Sequence, residues 1–189
     1  MKAYGLATAL LVTVGSTAAS AQDGSKGDVF AGYSILASGD PKTCPNCETA
    51  GNGGTMHGWH AALGWGLSGR IGLLLDVSGH QGSEAEGTDV NVLSLMAGPR
   101  VTFGGGRLRP FVHVIGGVVR SKASVSVFDI EISESATDLG GAAGGGFDFA
   151  FGDRWALRLA GDYRVVKVEG ETASDPRFSA GVAYKFGAR

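Results

Sequence analysis

RWALRLAGDYRVV, residues 154–166, decides how this chain is read. Trp155, Leu157, Leu159, Tyr163 and Val165 share one parity, and Arg154, Arg158, Asp162 and Arg164 share the other. Successive residues of an extended chain point to opposite faces. The stretch is therefore a strand with one apolar and one charged side.

The same alternation recurs along the chain, and it predicts eight strands, at 28–37, 56–67, 70–80, 90–103, 108–120, 138–151, 154–168 and 177–186. Ser68-Gly69, Gly104-Gly105-Gly106 and Gly152-Asp153 read as tight turns. Residues 38–55, 81–89, 121–137 and 169–176 read as longer polar connections. Within 121–137, Val125, Val127, Ile130 and Ile132 alternate with polar residues, so strands are expected to run on beyond the barrel wall there. Tight and long connections thus alternate. Short turns at one end and longer loops at the other are the pattern of bacterial outer-membrane barrels. The expected fold is all-β, an eight-stranded antiparallel up-and-down transmembrane barrel.

A soluble up-and-down barrel also alternates, with its apolar face inside, so the contents of the two faces matter. The polar face is mostly small: Gly58, His60, Ala62, Gly64 and Gly66 in the second strand, Gly144, Gly146 and Asp148 in the sixth, Ser179, Gly181, Ala183 and Lys185 in the last. A water-facing exterior would carry many more Lys and Glu. The crowded interior of eight strands instead needs small residues and charges that neutralise one another. The expected interior charges are Asp76, Arg100, Asp148, Arg158, Asp162, Arg164 and Lys185, with His60, His80 and His113 beside them. On the apolar face Trp65, Phe103, Phe151, Trp155 and Phe186 lie next to the short turns, where an interfacial aromatic girdle belongs.

Residues 1–21 read as a cleaved signal peptide: Lys2, a short apolar run from Leu6 to Val14, and the Ala19-Ser20-Ala21 cleavage site. Residues 22–189 then form one barrel domain. Without Lys2 that part carries 15 basic and 18 acidic residues. It lacks the basic surplus of a nucleic-acid binder. Cys44 and Cys47 sit in CPNC, and an exported chain meets oxidising conditions, so a local disulfide is the expected state. Free thiols are one alternative. A metal site completed by His57 or His60, or redox work, is another.

Three stretches carry a family resemblance: GDVFAGYSIL (27–36), RPFVHVIGGVVR (109–120) and RFSAGVAYKF (177–186). With the alternation, they make the chain similar to the outer-membrane β-barrel domain family, the small eight-stranded barrels of the OmpA, OmpX and opacity-protein type. The resemblance covers the whole chain after the leader. It implies outer-membrane lipid as the surroundings and barrel-assembly machinery as the partner during biogenesis. It also implies an assembly signal in the last strand, carried here by Ala180, Val182, Tyr184 and Phe186. This chain departs from that pattern by adding Gly187-Ala188-Arg189 after the phenylalanine. The family mixes adhesins, serum-resistance factors and structural porin-like proteins, and fold alone does not select among them.

His57 and His60, three apart on a strand, fall on opposite faces and form no helical metal pair. No Gly-x-Ser-x-Gly elbow is present, and the glycine-rich stretch 140–149 lacks the Lys-Ser/Thr of a phosphate loop. Ser78, His80 and Asp89 are the residues a lipid-modifying enzyme would use at the outer rim, but their spacing is not diagnostic. The expected protein is a non-catalytic outer-membrane barrel with a packed polar interior, no cofactor and no metal. Its role would be structural, or to meet an extracellular partner through its long loops. The alternatives are a soluble secreted barrel that binds a small apolar ligand, and the membrane enzyme.

Overall fold

The computed structural model describes residues 27–37, 55–84, 88–127, 130–168 and 171–187. The expected signal peptide, Cys44 and Cys47 lie outside these residues. Eight strands follow one another: β1 (Gly27–Ala37), β2 (Thr55–Ser68), β3 (Ile71–Glu84), β4 (Thr88–Thr102), β5 (Leu108–Val127), β6 (Ile130–Ala150), β7 (Trp155–Val168) and β8 (Glu171–Phe186). Each pairs antiparallel with the next, and β1 pairs with β8 to close the barrel. Closure leaves no sheet edge, so the backbone can cross lipid with its hydrogen bonds satisfied.

The expected strands all form, but the connections are corrected. Polar stretches read as loops continue the ladder: Gln81–Glu84 belong to β3, Thr88 and Asp89 to β4, and Glu171–Pro176 to β8. β5 and β6 run to 20 and 21 residues and stay in register until Val127 meets Ile130. The two-faced signal marks only the part of a strand that has one face in lipid. Beyond it both faces can be polar while the backbone pairs unchanged.

Large apolar side chains cover the outside. Trp59, Leu63, Leu73, Leu75, Leu93, Leu95, Phe147, Leu157 and Leu159 are all exposed. A soluble barrel would bury this face, so that alternative does not fit. Aromatics mark both ends of the apolar band. At the short-turn end Trp155 packs on Tyr184 with centroids 4.8 Å apart, and Trp65 on Phe186 at 6.1 Å. Further along, Tyr33 stands opposite Trp59 in register and also hydrogen-bonds outward-facing His57.

The inside differs from the expected polar packing in one respect. Phe30, Leu74, Met96, Ile115, Val119, Ala142 and Val166 form a buried apolar cluster between and beyond the charged groups. Strands such as β1 and β5 carry apolar residues on both faces, which hides their parity in the sequence.

Candidate functional site

The charges inside the barrel gather in two groups. The first lies towards the short turns, where Asp28 opens β1. Asp28 accepts from both terminal nitrogens of Arg100 on β4, Nη1 at 3.1 Å. It also accepts from Arg158 Nη2 on β7 at 2.8 Å. Arg158 further donates through Nε and Nη2 to the two oxygens of Asp148 on β6, at 2.6 and 2.8 Å. β1 neighbours neither β4 nor β7, so these bonds cross the interior. The Arg158 guanidinium also lies 5.0 Å from the Phe111 ring centre and 5.4 Å from that of Phe30. Such cation–π contacts gain when desolvated. Arg109 and Lys185 are buried at the same end of their strands.

The second group is further from the short turns. Arg177 on β8 donates to both oxygens of Asp76 on β3 at 2.9 Å, and through Nε and Nη2 to Asp162 on β7 at 2.9 and 2.7 Å. Its Nη1 also reaches Ser78 at 2.9 Å. Each carboxylate has a histidine on its other side. His60 Nε2 lies 2.6 Å from Asp76 and His113 Nε2 lies 2.6 Å from Asp162. The result is one row of contacting polar groups, His60–Asp76–Arg177–Asp162–His113, drawn from five strands. A planar, always charged guanidinium suits this place, because its fork serves two carboxylates at once. Arg164, two residues beyond Asp162, is also buried, with Asp175 opposite it in register.

Glycines make room for these pairs. A Cβ at Gly64 would fall on the Arg100 guanidinium and the Asp28 carboxylate, and one at Gly144 on the Asp162 carboxylate and the Gly161 carbonyl. Gly144→Val should therefore stop β6 from closing on β7, because the clash is partly with backbone. The folded, faster-running band of an unheated gel should be lost. A normal folded band would show that the space is not needed.

All seven charges expected inside, Asp76, Arg100, Asp148, Arg158, Asp162, Arg164 and Lys185, are buried, as are His60, His80 and His113. His57 is exposed on the other face. Asp28, Arg109 and Arg177 were missed. Asp28 and Arg177 stood at the ends of the expected strands, and Arg109 begins a strand whose faces look alike. Parity from Ser179 and Gly181 back to Arg177 was the signal available for the last. The enzyme candidates do not come together as a catalytic pair. Ser78 bonds Ser94 at 2.7 Å and accepts from Arg177, while His80 Nε2 bonds Ser34 at 2.9 Å. Asp89 lies in β4 opposite Ser83. Among the described residues no group of His, Cys, Asp and Glu is arranged to hold a metal.

A closed antiparallel barrel with charges paired inside and apolar side chains outside defines an integral outer-membrane protein. The family comparison agrees: the outer membrane protein beta-barrel domain model matches residues 6–186, and the chain belongs to that family. No curated protein matches it. Among solved structures it is similar to Neisserial surface protein A, at 17% identity and a TM-score of 0.66, covering 86% of this chain and 98% of that one. The attachment invasion locus protein Ail of Yersinia pestis matches at 17% identity and 0.60, covering 86% and 99%. OprG of Pseudomonas aeruginosa matches at 13% and 0.53, covering 87% and 97%. At these identities the likeness is one of fold. The protein is a bacterial outer-membrane barrel.

Proposed function

We propose that the protein is a non-catalytic outer-membrane barrel, closed to solutes, that serves as structure and presents its outer hairpins and the 38–54 segment to extracellular partners. One observation carries this reading. Arg158 is joined at once to Asp28 on β1 and Asp148 on β6, and so bridges the interior of the barrel. Eight strands leave an interior just wide enough for side chains, and here those side chains bond one another across it. The purified barrel in a planar lipid bilayer should therefore give no current steps. Reproducible steps that depend on the folded protein would overturn the closed reading.

Three further features belong to the same proposal. Residues 1–21 are removed on export. The assembly machinery reads the outward row Ala180, Val182, Tyr184 and Phe186 of β8. Cys44 and Cys47 are joined to each other on the cell exterior. Intact mass after thiol alkylation tests the last point: without reductant no label should be taken up, and two labels would disprove the bond. An extracellular polyanion is one class of partner worth trying, since Ail of Yersinia pestis has been crystallised with the heparin analogue sucrose octasulfate.

A further inference from the structure

The outer face is not uniformly apolar. Arg120 and Lys122 on β5 and Lys167 on β7 are exposed and carry the outward parity of Val118 and Val165. Arg120 stands opposite Thr137 of β6, and Lys167 opposite Leu139 of the same strand. The two cations therefore flank the outer part of β6 from either side, their backbones about 12 Å apart for two strand spacings and a two-residue offset. Asp138, between Thr137 and Leu139, has the opposite parity. Among the residues whose side chains are described, none of the three cations has an ion pair.

Below the cations the outward side chains of β6 shrink to Gly141, Ala143 and Gly145. Gly116 of β5 faces Gly141, and Gly161 of β7 faces Gly145. A Cβ at Gly116 or Gly141 would meet only a backbone carbonyl oxygen at ordinary contact distance, 3.8 and 3.4 Å, so a side chain fits there, whereas one at Gly145 would fall 2.5 Å from the Phe111 carbonyl oxygen. Val114 and Val118 wall one side of this furrow, and Tyr163 and Val165 the other. Positive charge at the head of an apolar furrow matches a molecule with an anionic head and a hydrocarbon tail.

We propose that this face seats one anionic membrane lipid, its phosphate between Arg120 and Lys167 and an acyl chain along the outer face of β6. The site rests on the reading that the apolar outer face lies in lipid. Cations close to a membrane surface attract anionic lipid, and the furrow adds contact for the chain.

The test uses the folded full barrel in neutral-detergent micelles, titrated with bisphosphorylated lipid A and read by native mass spectrometry. Wild type should retain lipid A in preference to phosphatidylcholine. Arg120→Gln/Lys122→Gln/Lys167→Gln should bind it at least roughly tenfold more weakly. Arg70→Gln/Arg107→Gln, which removes two exposed cations at the short-turn end, should bind as wild type does. Gly141→Leu, placed where a side chain has room, should keep the heat-modifiable folded band and lose retention of the lipid. Equal binding by the triple variant, or equal loss in the short-turn control, would overturn the site. A folded monomer free of detergent would instead overturn the membrane reading on which the site rests.

Discussion

Replacing Arg177 with methionine is expected to destabilise the folded barrel by about 3–5 kcal/mol. The side chain is 1% exposed, and its removal leaves Asp76 and Asp162 without their shared counter-charge. Most of that cost is the burial of uncompensated charge, not the loss of attraction. The triple change Arg177→Met/Asp76→Asn/Asp162→Asn should therefore recover much of the lost stability. Urea unfolding of the barrel in phosphatidylcholine vesicles measures both. A single variant that unfolds at the wild-type midpoint would mean that Arg177 does not hold the network together.

The second large effect lies on the opposite face. Leu159→Arg should cost about 2–4 kcal/mol, the range for Arg at the bilayer midplane on the lipid side of a barrel. Leu159 is 51% exposed, and Phe147 stands opposite it in register. Leu73→Arg, on the outer face of β3, should behave similarly. Thr172→Arg, exposed near the outer end of β8, should cost much less, because cost falls towards the interface. Equal losses at all three positions would point to damage unrelated to depth. Together the two experiments probe both faces of β7, where Leu159 and Asp162 sit three residues apart on opposite sides.

Much of this fold was legible because β7 writes its two faces in different alphabets. Arg158, Asp162 and Arg164 against Leu157, Leu159 and Tyr163 fix both strand and orientation, and Leu75 and Val77 on either side of Asp76 do the same for β3. β1 gives no such help. Phe30 and Leu36 point inward while Val29, Tyr33 and Ile35 point outward, so hydropathy is nearly equal on both sides and Asp28 was not placed. In β5, Phe111 and Ile115 are buried beside outward Val112 and Val114, which hid Arg109. The outer extensions were harder for another reason. Residues 171–176 continue the ladder with β7, and no apolar stripe marks them. The partners of Arg177 come from β3 and β7, and strand pairing across a barrel cannot be read from one strand's composition.

Every strand pairing except one joins chain neighbours that can meet soon after they are made. The exception is the seam in which Gly27 of β1 meets Phe186 of β8. Contacts so distant in sequence are slow to form, because the chain between them must first be confined. Until the last strand arrives, both margins of the sheet carry unpaired amides and carbonyls, an invitation to stick to other chains. Loss of β8 would thus do more than remove one strand: it would keep the cylinder from shutting, and leave an open ribbon for proteolytic surveillance to find.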